Sequence, residues 1–401
     1  MGQLNEGHGP AGEVRVSILG ATGSVGVSTL DVMAKGSDGL HFKAVALTAN
    51  THVDKLAAAA RNASAELAVI ADPRLYLRLK DALAGSGIAV AAGPEGLIEA
   101  ATRPADRLVA GIVGVAGLPA TLAAVRAGIS VALANKESLV CGGALLMAEA
   151  RKSGAKLLPI DSEHNAIFQV LDRPERVQKL ILTASGGPFR TASMQEMAAA
   201  TPEQALKHPN WDMGAKISID CATMMNKGLE LIEAAYLFET HESRIEVLVH
   251  PQSIVHSLVA YDDGSVLAQL GLPDMRTPIS YALSWPRRMA LPGLERLDLA
   301  KIGRLDFHEP DLERFPALRL AREAVSAGGA GPIALNAANE VAVAAFLQHR
   351  IGFLTISQVA GDVLNDVLSD RSQGSPETFE QVFEIDRLAR VRTLERLKIA
   401  A

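Results

Sequence analysis

The chain has 401 residues, a formal net charge of −6, 48% hydrophobic residues and 21% charged residues. That length builds two or three domains with real apolar cores, and the acidic balance excludes nucleic acid or an anionic membrane as the main partner. Only Cys141 and Cys221 are present, far apart and outside any zinc spacing, so no disulfide framework is expected and a reducing compartment fits.

Met1 to Glu13 is polar and lacks the basic and apolar regions of a secretory signal, which predicts a soluble, cytoplasmic protein. Val14 to Leu19 alternates like a strand and runs into Gly20-Ala21-Thr22-Gly23-Ser24-Val25-Gly26, after which Val27 to Ala34 carries helical spacing. Three glycines so placed permit a tight turn and close backbone approach, and the helix N-terminus then faces a dinucleotide pyrophosphate. A plain strand-to-helix turn is the bland alternative. The second strand, Phe42 to Leu47, leads to Thr48-Ala49-Asn50-Thr51-His52. An acidic residue there would accept from the ribose 2′-OH of NAD. None is present, which favours NADP, although no Arg or Lys follows at once and Lys55 is the nearest cation. Further strands are predicted at Leu67 to Ile70, Ile88 to Ala91, Leu108 to Val113 and Ser130 to Leu133, separated by Ala-rich helical stretches. Such alternation builds a parallel sheet covered on both faces. The apolar stretch Leu108 to Ala134 contains Pro119, Arg126 and four glycines, and reads as strand, loop, short helix and strand rather than a membrane span.

At Leu158-Pro159-Ile160 an apolar run ends in Asp161-Ser162-Glu163-His164-Asn165. Alternate residues of an extended segment point the same way, so Asp161 and Glu163 are expected to face one ion. Alone, the pair reads equally as a helix cap with a first-turn acid. Glu230 supplies a third carboxylate. A helix predicted to begin near Ala222 sets Asn226, Lys227 and Glu230 on one face, flanked by Met224, Met225, Leu229, Leu231 and Ile232, which bury it. Oxygen-only ligands select Mg²⁺ or Mn²⁺, and the adjoining ammonium and amide suit a phosphorylated, hydroxylated substrate. Thr183-Ala184-Ser185-Gly186-Gly187-Pro188, closing a strand from Leu180, reads as an anion nest or a turn. The polar loop His208 to Gly214 holds Trp211, a lid or interface anchor unless the ring folds back into the core. Strands Glu246 to Val249, Ile254 to Tyr261 and Ser265 to Leu270 follow, the last two joined at Asp262-Asp263-Gly264 as a hairpin. The predicted class is α/β. A Rossmann-like doubly wound sheet spans 1–160. A central α/β catalytic domain with the antiparallel hairpin spans 161–286, with a lid loop at about 207–215. A Pro- and Arg-rich linker at 287–316 leads to a C-terminal helical domain at 317–401.

Together these segments resemble the 1-deoxy-D-xylulose 5-phosphate reductoisomerase family, from Val14 to the C-terminus. The resemblance is carried by Ala134 to Val140, Asp161 to Gln169, His208 to Gly214, Thr223 to Glu230, His250 to Ser253 and Ala334 to Glu340. It implies a homodimeric enzyme that requires NADPH and Mg²⁺ or Mn²⁺. Such enzymes isomerise and reduce 1-deoxy-D-xylulose 5-phosphate to 2-C-methyl-D-erythritol 4-phosphate in the non-mevalonate isoprenoid pathway. It further implies Asp161, Glu163 and Glu230 as metal ligands, Ser162 and Lys136 on the substrate, and Ser185, Cys221, Asn226 and Lys227 around its phosphate. His208 is implied to contact substrate from the loop that Trp211 and Met213 close over the site. By the same resemblance Thr22, Gly23, Ser24 and Val25 line the pyrophosphate, Asn135 and Glu137 lie beside the nicotinamide, and Gly214 approaches the cofactor. Asn50, Thr51 and His52 fall at the 2′-phosphate end. Lys136, Glu163, His208 and a metal-bound water all stand as proton carriers. Two positions depart from the family: Cys221 replaces the usual Ser with a poorer donor to phosphate, and Asn50-Thr51-His52 stands where many members carry Gly-Lys/Arg-Asn. Two rival readings are a semialdehyde-type NADP dehydrogenase with Cys221 as nucleophile and a non-catalytic dinucleotide-sensing protein. The metal and phosphate chemistry around Cys221 counts against the first, and the carboxylate set against the second.

Overall fold

A computed structural model describes residues 12–209, 211, 213–370 and 374–400. Seven strands, β1 (Glu13–Leu19), β2 (His41–Ala49), β3 (Leu67–Ile70), β4 (Ala89–Ala92), β5 (Arg107–Ala110), β6 (Ser130–Leu133) and β7 (Leu157–Pro159), form one parallel sheet in the order β4-β3-β2-β1-β5-β6-β7. Alternate residues feed two cores: Val16, Ile18 and Leu47 face one layer of helices, and Leu19, Ala46 and Leu108 face the other. That two-sided burial explains the unbroken apolar run of β3. Strand order reverses between β1 and β5, so the turns after these strands flank the crevice where doubly wound sheets bind ligands. The turn after β1 needs its glycines. Gly20 has φ +83°, and a Cβ there would lie 2.7 Å from the Gly111 carbonyl oxygen. A Cβ on Gly26 would lie 2.4 Å from the Gly20 carbonyl oxygen.

The second sheet holds β8 (Val177–Ala184), β9 (Ile245–Val249), β10 (Val255–Tyr261) and β11 (Val266–Leu270) in the order β11-β10-β8-β9, with only β8 and β9 parallel. The predicted hairpin is β10–β11. Four helices, Ala317–Ala327, Ala330–Leu347, Phe353–Ser369 and Phe379–Ala400, end the chain. Ala330–Leu347 is long and apolar enough to cross a membrane by composition, but 78% of it is buried within the protein. It is a core helix, apolar all round because neighbours surround it.

Two expectations need correction. The helix expected from Ala222 is two helices, Ala215–Ala222 and Met225–Leu237, broken where Met224 adopts φ 64°. The run Leu108 to Val113 is strand only to Ala110, because the backbone turns at the glycines that follow. Within the Pro- and Arg-rich stretch 287–316, Met289 and Leu291 pack against the core of the first sheet, and His308 bridges Val249 of β9. Helix Arg276–Ser284 likewise buries Ile279, Ala282 and Leu283 in that core.

Candidate active site

A cavity of about 340 Å³ opens between the two sheets. Around it stand Ser24, Val25, Lys136, Asp161, Ser162, Glu163, Ser185, His208, Trp211, Met213, Gly214, Cys221, Asn226 and Lys227. Glu230 lies beneath its floor, fully buried.

Asp161, two residues beyond the end of β7, takes the cap position of helix Ser162–Val170 and makes no side-chain cap bond. Glu163 lies in the first turn of that helix, so the extended geometry expected for the pair is wrong. Their convergence comes instead from a helix start that Asn165 fixes by donating to the Pro159 carbonyl at 2.8 Å and the Pro278 carbonyl at 3.3 Å. Carboxylate oxygens of Asp161, Glu163 and Glu230 all lie within 4.8 Å of one another. Lys136, at the start of helix Lys136–Ser153, sets Nζ 2.6 Å from Asp161 Oδ2, 2.6 Å from Asn226 Oδ1 and 3.4 Å from Glu230 Oε1. Lys227 Nζ lies 2.8 Å from Glu163 Oε1 and also pairs with Glu230.

Burial, then the neighbouring Glu163 and Asp161 charges, push the Glu230 carboxyl up to about 8 despite Lys227 and Lys136. Burial also works against Asp161, but Lys136 and His164 hold it well below the usual carboxylate range. Burial disfavours the Lys136 ammonium, yet Asp161, Glu230 and Glu233 outweigh it and raise its pKa well above the ordinary value. A dry carboxylate that titrates near neutrality beside two others is a ligand set short of positive charge. Three oxygen donors of this kind fit Mg²⁺ or Mn²⁺.

Also lining the cavity, Trp211 donates its backbone N–H to His208 Nδ1 at 3.0 Å. Nδ1 therefore accepts, Nε2 carries the proton, and Nε2 donates to Ser185 Oγ at 2.9 Å. Burial lowers the His208 pKa, so the ring is neutral at pH 7. Ser185 follows β8, and its hydroxyl accepts from the Gly187 N–H at 3.2 Å. Cys221 sits in helix Ala215–Ala222, and burial pushes its thiol far up, which denies it thiolate character. Asn210 and Asp212 of the loop, like residues 1–11, lie outside the described residues.

On the cofactor side, Ser24 and Val25 begin helix Ser24–Lys35, with Thr22 and Gly23 in the turn just before it. Asn135 and Glu137 are buried behind Lys136, where Asn135 Nδ2 donates to the Gly114 carbonyl at 3.0 Å and to Glu137 Oε2 at 2.9 Å. Asn50, Thr51 and His52 are exposed at the end of β2 and do not line the cavity.

Sequence reasoning missed His164, Glu233, Ser253 and His256. His164 and Glu233 lie fully buried under the carboxylates: His164 Nε2 donates to the Glu230 carbonyl at 2.9 Å, and Nδ1 is 3.3 Å from Glu233 Oε2. The repeat of Glu at 230 and 233 was the available signal, since helical spacing stacks them on one face. Ser253 and His256 line the cavity, and only the His250 to Ser253 motif hinted at them.

Profiles of three domains match the chain. They are 1-deoxy-D-xylulose 5-phosphate reductoisomerase over residues 16–143, the C-terminal domain of the same enzyme over 157–238, and the DXP reductoisomerase C-terminal domain over 270–392. The 1-deoxy-D-xylulose 5-phosphate reductoisomerase of Rhodospirillum centenum is 62% identical over 347 residues, 86% of this chain and 85% of its own. The chain belongs to the 1-deoxy-D-xylulose 5-phosphate reductoisomerase family. The solved reductoisomerase from Zymomonas mobilis in complex with NADPH superposes with TM-score 0.88 at 52% identity, covering 96% of this chain and 98% of that one. A solved DOX-P reductoisomerase in complex with NADPH, fosmidomycin and magnesium gives TM-score 0.90 at 43% identity, covering 96% and 99%. The family resemblance and the α/β class with its doubly wound N-terminal sheet are therefore borne out.

Proposed function

We propose that the chain converts 1-deoxy-D-xylulose 5-phosphate to 2-C-methyl-D-erythritol 4-phosphate, by isomerisation and NADPH-dependent reduction with a divalent metal. The observation that carries this reading is the convergence of Asp161, Glu163 and Glu230 within 4.8 Å, in the cavity that the Gly20–Gly26 turn also borders. The relatives solved with NADPH and with magnesium support both cofactors. When bound, the cation polarises the substrate carbonyl and an adjacent hydroxyl, and NADPH supplies the hydride.

The chain's own residues do the rest. Asp161, Glu163 and Glu230 hold the ion, and Ser162 and Lys136 orient the substrate beside it. Lys136 keeps its proton at neutral pH because three carboxylates surround it, so it serves as a charge and a donor rather than a base. Ser185, Cys221, Asn226 and Lys227 grip the phosphate, which supplies binding energy remote from the reacting centre. His208, neutral and carrying its proton on Nε2, donates a hydrogen bond to Ser185 Oγ and so orients that hydroxyl toward the substrate, and Trp211 and Met213 exclude water. Thr22, Gly23, Ser24 and Val25 take the pyrophosphate, Asn135, Glu137 and Gly214 the nicotinamide end, and Asn50, Thr51 and His52 the 2′-phosphate. The reading includes units at 1–160, 161–286 and 317–401 joined through 287–316, a cytoplasmic enzyme, and a homodimer. The edge strand β11, with Val266 and Leu267 exposed, suits the dimer contact.

NADPH consumption with 1-deoxy-D-xylulose 5-phosphate tests the function. Turnover should vanish on chelation and return with Mg²⁺ or Mn²⁺. Metal-independent turnover, or none with metal restored, removes the reading.

A further inference from the structure

Lys216 has no part in the reaction as read above, yet it sits at a junction. It lies in the first turn of helix Ala215–Ala222, directly after the lid loop. Its Nζ is 2.7 Å from Glu137 Oε1 and 2.8 Å from Asp220 Oδ2. The other Glu137 oxygen accepts from Asn135 Nδ2, which also donates to the Gly114 carbonyl after β5. The other Asp220 oxygen accepts from Asn339 Nδ2 at 2.7 Å, on the core helix Ala330–Leu347. Glu137, Asp220 and Asn339 are 4%, 1% and 0% exposed. A line of buried polar contacts thus joins the turn at the sheet's switch point, the trailing end of the lid and the C-terminal helices. Burial disfavours the Lys216 charge, but Asp220 and Glu137 outweigh it and keep the ammonium protonated. Buried ion pairs add little net stability over apolar packing, and their best-attested use is to fix register. Here the register is that of the lid on the cofactor side of the site.

We infer that Lys216 is a positioning residue that couples cofactor binding to lid placement: a nicotinamide seated against Asn135 and Glu137 fixes Glu137, and Lys216 carries that position to Gly214, Met213 and Trp211. The inference rests on the reductoisomerase reading, which places the nicotinamide there. Linkage makes the coupling reciprocal, so cofactor and substrate tighten each other by one factor.

Calorimetric titration of 1-deoxy-D-xylulose 5-phosphate into the magnesium-loaded full chain, without and with saturating NADP⁺, reads that factor, since NADP⁺ fills the cofactor site without donating hydride. The parent should show tightening of about fivefold or more. Lys216→Met should bring the factor close to one while cofactor-free substrate affinity changes less than about twofold, and Lys216→Arg should restore part of the coupling. Lys216→Met leaves two buried carboxylates uncompensated. A Lys216→Met, Asp220→Asn pair, which carries one fewer, should lose coupling in the same way, and Asp220→Asn alone, which spares the Glu137 link, should keep it. A parent factor of one overturns the inference. So does a factor unchanged in Lys216→Met, even if its melting temperature drops. A parent that binds neither NADP⁺ nor the sugar phosphate would instead sink the functional reading.

Discussion

The proposed metal end and the proposed adenosine end of the site are built by opposite means. At the metal end Lys136, Lys227 and Glu230 are buried with opposite charges at hydrogen-bond distance, and buried His164 and Glu233 approach to 3.3 Å without a hydrogen bond. At the end of β2, where we propose the adenosine ribose binds, Asn50, Thr51 and His52 are exposed. The difference teaches where chemistry can be tuned. A buried charge without partners costs several kcal/mol, so the metal end admits few changes, whereas exposed polar groups are replaced at little cost.

The sharpest way to break the comparison is to neutralise the most buried ligand. Glu230→Gln should cut metal-dependent turnover by more than about 100-fold, beyond what loss of a supporting contact costs. NADPH binding and the far-ultraviolet circular dichroism spectrum should be retained. Near-normal turnover at limiting Mn²⁺ would take Glu230 out of the metal site.

Acidity probes the same end without mutation. Glu230 moves from its ordinary 4.5 up to about 8 in the folded, metal-free protein, first through burial and then through Glu163. Between those values the folded state binds a proton that the unfolded state has released. The resulting stability is full below about pH 4.5 and is lost as pH rises through about 8. Glu233, raised by burial to about 7, acts in the same sense. Asp161, held below its usual range, acts oppositely but at more acid pH. The melting temperature of the metal-free protein should therefore fall from pH 5 to pH 8, and Mg²⁺ should flatten that slope. A metal-free melting temperature rising over this interval would contradict the charge arrangement.

Much of this end was legible in the sequence because its residues cluster at helix and strand ends, in Asp161 to Glu163 and Asn226 to Glu230. Their mutual approach was not, since Asp161 meets Lys136 across two loops and the break at Met224 leaves no periodic signal. The doubly wound sheet was readable because both-face burial gives each of β1 to β6 a short apolar run, separated from the next by a helical stretch. The docking of helix Arg276–Ser284 on the first core was not, because any amphipathic helix would show the same pattern whichever sheet it covered. His164 and Glu233 escaped notice for the complementary reason: side chains that serve other side chains carry no motif of their own.

Cys221 lines the cavity within reach of the Lys136, Glu230 and Lys227 charges. Cys221→Ser should lower the KM for the sugar phosphate by up to about tenfold, since a hydroxyl donates to a charged phosphate better than a thiol. NADPH affinity should stay unchanged. A dead, folded, metal-binding Ser variant would make Cys221 a nucleophile and overturn the mechanism. At the adenosine end the expected effect is smallest. kcat/KM should favour NADPH over NADH, by less than a bidentate Arg clamp would give, because neither an acid nor an adjacent cation follows β2. Equal values would remove the assignment of Asn50 to His52.

We propose that Asp161, Glu163 and Glu230 form one divalent-cation site whose buried member exchanges a proton for the ion. Calorimetric Mn²⁺ titration at pH 7 in buffers of different ionisation enthalpy reads both halves of it. The parent protein should bind one ion and release close to one proton, because Glu230 titrates at about 8 without metal. Glu230→Gln should bind far more weakly and release none. Equal affinity and equal proton release in the two proteins would contradict the site.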